Sequence, residues 1–141
     1  MMQRLFEIIQ QNKSQNQDLT HILYKYITPV NQRIKECKQI LDQYPDYVPL
    51  IIEKHPNSKL DDFKKLKLVI QGKMDILKVQ SVIRNNIKLN ENEAVSIFVH
   101  NGFMEQLKLL NLGSRLSDLY KSYKSTDGFL YITYCEFSSF G

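Results

Sequence analysis

The carboxylate of Gly141 stands out as a candidate reactive group, because the chain ends Tyr131-Ile132-Thr133-Tyr134-Cys135-Glu136-Phe137-Ser138-Ser139-Phe140-Gly141, a β-like run followed by a short polar tail. Glycine has no side chain and tolerates unusual backbone angles, so its carbonyl can reach into an enzyme cleft too narrow for any other residue. A glycine alone does not decide the matter, since about 7% of residues are glycine on average. The other residue types that carry chemistry do not assemble. Cys37 and Cys135 lie far apart with no CxxC or His-rich neighbourhood, and His21, His55 and His100 lack the spacing of metal ligands. No Ser/His/Asp, Cys/His or paired-carboxylate constellation is visible. The expectation is a chain that is not an enzyme and holds no metal or cofactor, with both cysteines acting as small buried or half-buried apolar residues rather than a disulfide.

Composition narrows the partners. A length of 141 residues with 43% apolar residues closes one core, so one globular domain with appendages is expected. No stretch approaches the ~18 to 20 apolar residues of a membrane span, and the start lacks the pattern of a secretory leader, so a cytosolic location is expected. The formal charge of +4 favours acidic partners or anionic lipid surfaces. Its densest stretch, Lys59 to Lys67, is interrupted by Asp61 and Asp62 and carries no zinc-finger, Walker or Gly-rich phosphate signature. Nucleic acid is therefore not an expected partner.

The elements that must position these groups can be read from periodicity. Met2, Leu5, Phe6 and Ile9 have helical spacing, and Gln10 to Gln17 is a polar run, which together suggest an extension over residues 1–17. Such a helix serves equally well to fold back on its own domain, to fray, or to touch a membrane or partner. A short helix is expected over Leu19 to Ile27, stopped before Pro29, and a clearer one carries Ile34, Cys37, Ile40, Leu41 and Tyr44 before Pro45. Tyr47 to Lys54 predicts a mostly buried strand in which Pro49 suggests an edge or bulge. Leu66 to Ile70 predicts a second strand, Met74 to Ile87 a helix, Asn90 to Ala94 a capped turn, and Val95 to Val99 a third strand. His100 to Gly113 is ambiguous. Leu116 to Tyr123 predicts a helix, Asp127-Gly128 a tight turn, and Phe129 to Tyr134 a last strand. The order strand, strand, helix, strand, helix, strand is that of the ubiquitin β-grasp, an α+β fold, here with two extra N-terminal helices in a domain spanning residues 18–141 and an exposed tail at 135–141.

Four segments are recognisable together: Tyr44-Pro45-Asp46-Tyr47-Val48-Pro49-Leu50-Ile51-Ile52-Glu53-Lys54; Val82-Ile83-Arg84 with Ile87-Lys88-Leu89; Asp127-Gly128-Phe129-Leu130-Tyr131-Ile132-Thr133-Tyr134; and Phe140-Gly141. In this order they resemble the autophagy-related ubiquitin-like modifiers of the GABARAP kind, over roughly Arg33 to Gly141. The resemblance implies a protein tag that an activating enzyme adenylates at Gly141, passes as a thioester between enzyme cysteines, and joins to the amino group of phosphatidylethanolamine. It implies recognition of the tail and of Phe98 by the conjugating machinery, with Phe140 beside the reactive glycine, and trimming or release by a cysteine protease. It also implies docking of short extended motifs from cargo receptors and adaptors beside the second strand. Their aromatic side chain would meet Glu36, Ile40, Pro49, Ile51, Lys67, Val69 and Phe129. Their aliphatic side chain would meet Leu68, Ile70, Val79, Val82 and Ile83, with Lys65 and Arg84 as further contacts. A cytoplasmic protein with a lipid-anchored pool on autophagosomal membranes follows from the same likeness.

The chain departs from the family pattern in places that bear on cargo and enzyme pairing. Gln71 replaces a proline after the second strand, Lys64 an aspartate before it, Asn85 and Asn86 a basic pair after Arg84, and Ser96 an aromatic residue; the loop from His100 to Arg115 is also longer. Two alternatives stay open: a modifier joined to a protein lysine instead of a lipid, and a β-grasp interaction domain that is never conjugated.

Overall fold

A computed structural model describes residues 23–64, 67–90, 92–101 and 106–136. The expected helix over Met1–Ile9, the Gln/Asn-rich run after it, and the tail from Phe137 to Gly141 lie outside the described residues. Within them the chain forms α1 (Leu23–Ile27), α2 (Val30–Gln43), β1 (Tyr47–Lys54), β2 (Lys67–Gln71), α3 (Ile76–Asn86), β3 (Val95–Asn101), β4 (Gln106–Leu109), α4 (Leu116–Tyr123) and β5 (Leu130–Glu136).

The five strands make one sheet in the order β2-β1-β5-β3-β4. The two central strands, β1 and β5, run parallel with Leu50 opposite Leu130, and every other neighbouring pair is antiparallel. Both central strands are buried almost end to end, which explains their unbroken apolar sequences: a strand covered on both faces has no solvent side to mark with polar residues. On one face Val48, Leu50 and Ile52 of β1 meet α3 and α4 through Ile76, Val79, Ile83 and Leu116. Alternation sends Ile51 to the other face, into a smaller cluster with Tyr24, Cys37, Phe129 and Tyr131 beneath α1 and α2.

Local chemistry sets the helix ends. α2 starts directly after Pro29 and closes with the Tyr44 amide donating to the Ile40 carbonyl at 2.7 Å. α3 begins at Ile76 rather than at Met74, because Asp75 is extended and its carboxylate caps the amide of Lys78 at 3.3 Å. Asn90 and Glu93 close the expected single turn, with amide-to-carbonyl and side-chain hydrogen bonds both at 3.0 Å.

Two expectations are corrected. Pro49 lies on neither an edge strand nor a bulge: β1 is an inner strand, and Pro49 sits in register opposite Val69. It precedes the first partner pair of the parallel ladder, Leu50 with Leu130, so its missing amide hydrogen takes nothing from that ladder. The ambiguous stretch after His100 contains an additional edge strand, β4, so the order is strand, strand, helix, strand, strand, helix, strand. Four residues are too few for alternation to stand out in a sequence.

The turn into β5 is pinned from below. Gly128 adopts φ 96°, a conformation that side chains disfavour, and a Cβ there would lie 2.6 Å from Cys37 Sγ. Asp127, fully buried, takes the Phe129 amide on one oxygen at 2.9 Å, and on the other it receives the Tyr131 hydroxyl and, at 3.0 Å, the Arg33 guanidinium of α2. Burial, reinforced by the Asp127 carboxylate, pushes the Tyr131 phenol well above its ordinary range. Removing one member of such a pair strands a buried charge. Asp127→Asn is expected to lower unfolding stability by about 3 kcal/mol in urea titrations, with part of that loss recovered in the double variant Arg33→Met/Asp127→Asn. A loss below about 1 kcal/mol would show that the network is not what holds the turn.

Candidate functional site

β2 is an edge strand, so one row of its backbone groups faces away from the sheet. Strand alternation distributes its side chains between two faces. Lys67 and Val69 share a face with Ile51 and Pro49, their partners in register, whereas Leu68 and Ile70 share the other face with Leu50 and Val48.

On the first face the structure brings together the residues expected to receive an aromatic side chain. Ile51 and Phe129 form a floor with no exposed surface, Ile40 packs against them, and the Lys67 ammonium meets the Glu36 carboxylate of α2 at 2.8 Å. The sequence did not point to Tyr24, which lies at the centre of this arrangement. Its ring packs edge-on against Phe129 with centroids 5.5 Å apart, its hydroxyl donates to Glu36 at 2.5 Å, and the Lys67 ammonium lies 5.4 Å from its centroid. The only signal in the sequence was a tyrosine in a short apolar helix upstream of Pro29. Burial and the adjoining Glu36 carboxylate drive the Tyr24 phenol far above its ordinary range. For Glu36 itself burial pushes upward, but the hydrogen bonds from Lys67, Tyr24 and Gln32 outweigh it and hold the carboxyl below its ordinary value.

On the second face the five residues expected to receive an aliphatic side chain divide. Ile70, Val79 and Ile83 belong to the main core, while Leu68 and Val82 are only partly buried at its margin. Arg84 is half-buried and donates to the Glu93 carbonyl at 2.7 Å, tying α3 to the turn before β3. Lys65, Phe140 and Gly141 lie outside the described residues. Phe98 is buried on β3, in register with Thr133 of β5 and Leu109 of β4.

The last described residue, Glu136, ends the strand that lies between β1 and β3. Its carboxylate accepts from the Ser58 hydroxyl at 2.8 Å and the Lys59 amide at 3.2 Å, and the Tyr134 hydroxyl donates to the Asp61 carbonyl at 2.6 Å. The connection between β1 and β2 thus holds the point from which the tail departs.

Residues 32–141 match the family model described as "Autophagy protein Atg8 ubiquitin like". The chain belongs to the Atg8 family. It is 34% identical over 111 residues to autophagy-related protein 8h of Arabidopsis thaliana, a match covering 79% of this chain and 88% of that one. With autophagy-related protein 8a of the same plant it shares 32% over 118 residues, covering 84% and 92%. Its fold is like that of the crystal structure of Trypanosoma brucei ATG8, with a TM-score of 0.75 at 24% identity over 84% of this chain and 97% of that one. It is a ubiquitin-like autophagy protein with the β-grasp architecture.

Within this Atg8-family chain neither cysteine is disposed to act as a nucleophile. Both are buried free thiols, and burial pushes each up to about 11, so neither carries a thiolate at neutral pH. Among the described residues no cluster of His, Cys, Asp and Glu could hold a metal ion, and no helix is long and apolar enough to cross a membrane.

The Glu36 contacts carry a pH signature. Its folded-state pKa is depressed below the ordinary 4.5, so the contacts stabilise the fold above that pH and are lost as pH falls through the folded value. An NMR titration of the Glu36 carboxyl is expected to give a midpoint below 4.5 in the native chain and a higher one in Lys67→Met. An unchanged midpoint in the variant would show that the ammonium does not set the carboxyl's affinity for protons.

Proposed function

We propose that this Atg8-family protein is a modifier joined through Gly141 to phosphatidylethanolamine, and that it recruits cargo receptors and adaptors by binding short extended motifs along β2. The observation that carries the second half is the exposed edge of β2 with its two flanking side-chain sets. A ligand strand pairs with the free backbone row, and its neighbouring side chains fall on alternate faces. Because Lys67 and Val69 face one way and Leu68 the other, the aromatic and aliphatic anchors of a ligand stand an odd number of positions apart. The Glu36–Lys67 pair at the mouth of the first set gives a cation for acidic ligand residues. On the second face a ligand meets Leu68 and Val82 rather than Ile70, Val79 and Ile83, which the core already occupies.

Support for the first half is chemical. The central strand is fixed at Glu136 by Ser58 and Lys59, five residues short of Gly141, and the chain's own thiols are buried and protonated. The cysteines of a thioester relay then belong to activating and conjugating enzymes, and those of processing and release to a protease, which makes this chain their substrate. Two acyl chains bury methylenes at about 0.8 kcal/mol each, enough to hold a conjugated pool on autophagosomal membranes while the unmodified form stays in the cytoplasm. A modifier joined to a protein lysine, or one never conjugated, would use the same fold, and the mass of the product separates the three.

Intact-mass measurements on membrane and soluble fractions of autophagy-induced cells are expected to show a membrane-only species heavier by one phosphatidylethanolamine, absent in Gly141→Ala. A protein-sized increment would replace the lipid with a lysine target, and an unmodified mass in both fractions would remove conjugation altogether. Motif binding is tested separately by calorimetry with a peptide carrying one aromatic and one aliphatic anchor. Lys67→Ala combined with Val69→Ala is expected to weaken it about tenfold, equivalent to roughly 1.4 kcal/mol, with conjugation unchanged. Equal affinity would mean that the motif binds elsewhere.

A further inference from the structure

The sheet face that bears Lys67 and Val69 continues beyond them. Along β2 the next residue on that face is Gln71, whose register partner on β1 is Tyr47, just as Val69 faces Pro49 and Lys67 faces Ile51. The Gln71 side-chain nitrogen donates to the Tyr47 hydroxyl at 3.3 Å. Tyr47 is half-buried, and its ring meets that of Tyr44 edge-on with centroids 5.4 Å apart. Tyr44 caps the C-terminus of α2 and leaves 41% of its surface in solvent. Two aromatic rings therefore stand at the end of the row that receives the motif, and neither anchor of the ligand uses them.

The electrostatics of this corner are one-sided. α2 ends at Tyr44, so the negative end of its dipole lies here, and a helix C-terminus is stabilised by cations. The last turn of α2 instead holds Asp42 and no basic residue, and the exposed Asp46 follows between the two tyrosines, its carbonyl fixed by the Gly72 amide at 3.0 Å. Among the described residues neither carboxylate takes part in an ion pair. The chain's own neighbouring bases do not answer them. Lys38 precedes Asp42 by one helical turn, in the weaker base-before-acid order, and Lys73 follows Gly72; among the described residues neither reaches a carboxylate. A chain with a formal charge of +4 thus keeps an acidic, aromatic corner at one end of its motif edge. Ring faces and carboxylates together select a cation, and a planar guanidinium stacks on a ring while its N–H groups reach oxygen acceptors.

We propose that this corner is a third subsite of the motif edge, taking an arginine or lysine that stands two positions from the ligand's aromatic anchor, on the side toward Gln71. The placement follows from strand geometry. Side chains two apart in an extended ligand share a face and lie about 6.7 Å from one another, the step that leads along β2 from Val69 to Gln71. The ligand's base then lies over Gln71, its long side chain crosses to the rings of Tyr47 and Tyr44, and its charge comes to rest beside Asp46. Lys67 offers a cation at one end of the row and this corner offers anions at the other, so a ligand of matching polarity is held in one direction. The assignment rests on the motif reading of β2 given above.

Calorimetry on the full chain tests it with peptides that carry one aromatic and one aliphatic anchor, and arginine, alanine or glutamate two positions from the aromatic one. Each is made with that residue on the N-terminal side and again on the C-terminal side. On one of the two sides the arginine peptide is expected to bind about fivefold tighter than the alanine peptide, and the glutamate peptide more weakly than either. The gain should shrink as salt is raised, persist in Tyr44→Phe, which keeps the ring, and vanish in Tyr44→Leu/Asp46→Asn, where the alanine peptide binds as before. Equal affinities of the arginine and alanine peptides, tightest binding of the glutamate peptide, an equal gain on both sides, or a gain that survives in Tyr44→Leu/Asp46→Asn would overturn the subsite and leave the motif reading standing. An alanine peptide that does not bind at all would remove the motif reading, and the subsite with it.

Discussion

A single buried carboxylate ties the two halves of this molecule together. Asp127 lies in the turn that feeds the central strand, yet its hydrogen bonds run to the turn itself, to Tyr131 within that strand, and to Arg33 on α2, far away in sequence. An anion so placed is unfavourable without partners, and the partners it has chosen are those that define the layer beneath the sheet. Satisfying it fixes where α2 lies against β5. Once α2 is fixed, Cys37 presses on Gly128, Glu36 is brought within reach of Lys67, and Phe129 is held as a floor under Tyr24.

The consequence is a sheet whose two faces have different origins. One face is closed by the β-grasp helix α3 together with α4, using aliphatic residues along the strands except for Tyr134 of β5. The other is closed by α1 and α2 with aromatic rings, two ion pairs and buried polar groups. A mostly apolar layer is held chiefly by shape, whereas a layer fixed by many directed hydrogen bonds is held in one arrangement. The aromatic half of the motif-binding assignment falls on the polar layer at β2, where position matters for recognition, and the aliphatic half falls on the margin of the apolar one, at Leu68 and Val82.

Much of this was legible in the sequence, for identifiable reasons. β1 and β5 announced themselves because burial on both faces leaves unbroken apolar runs, and α2 because prolines bracket it. The pocket residues of the aromatic set could be placed only through the family likeness, since Ile51 and Phe129 look like any core residue in a one-dimensional pattern. Tyr24 escaped because what recruits it, the Glu36 carboxylate and the Lys67 ammonium, comes from two other elements. β4 escaped because four residues carry too little periodicity, and the non-edge setting of Pro49 because a proline's tolerance depends on which neighbour its ring faces. For Ile70, Val79 and Ile83, core packing turned out to describe their surroundings, a distinction that residue type cannot convey.

The placement of β5 has a mechanical side. Whatever is attached beyond Glu136 pulls along the axis of a strand that is flanked on both sides, by β1 in parallel and by β3 antiparallel. The ladder hydrogen bonds lie across that axis, so tension loads them together in shear instead of opening them one after another. Ser58 and Lys59 clamp the loaded end against the β1–β2 connection. A molecule tethered by its tail while a partner tugs at β2 would pass the strain through the buried β1–β5 pair, and the edge that holds the partner would yield first.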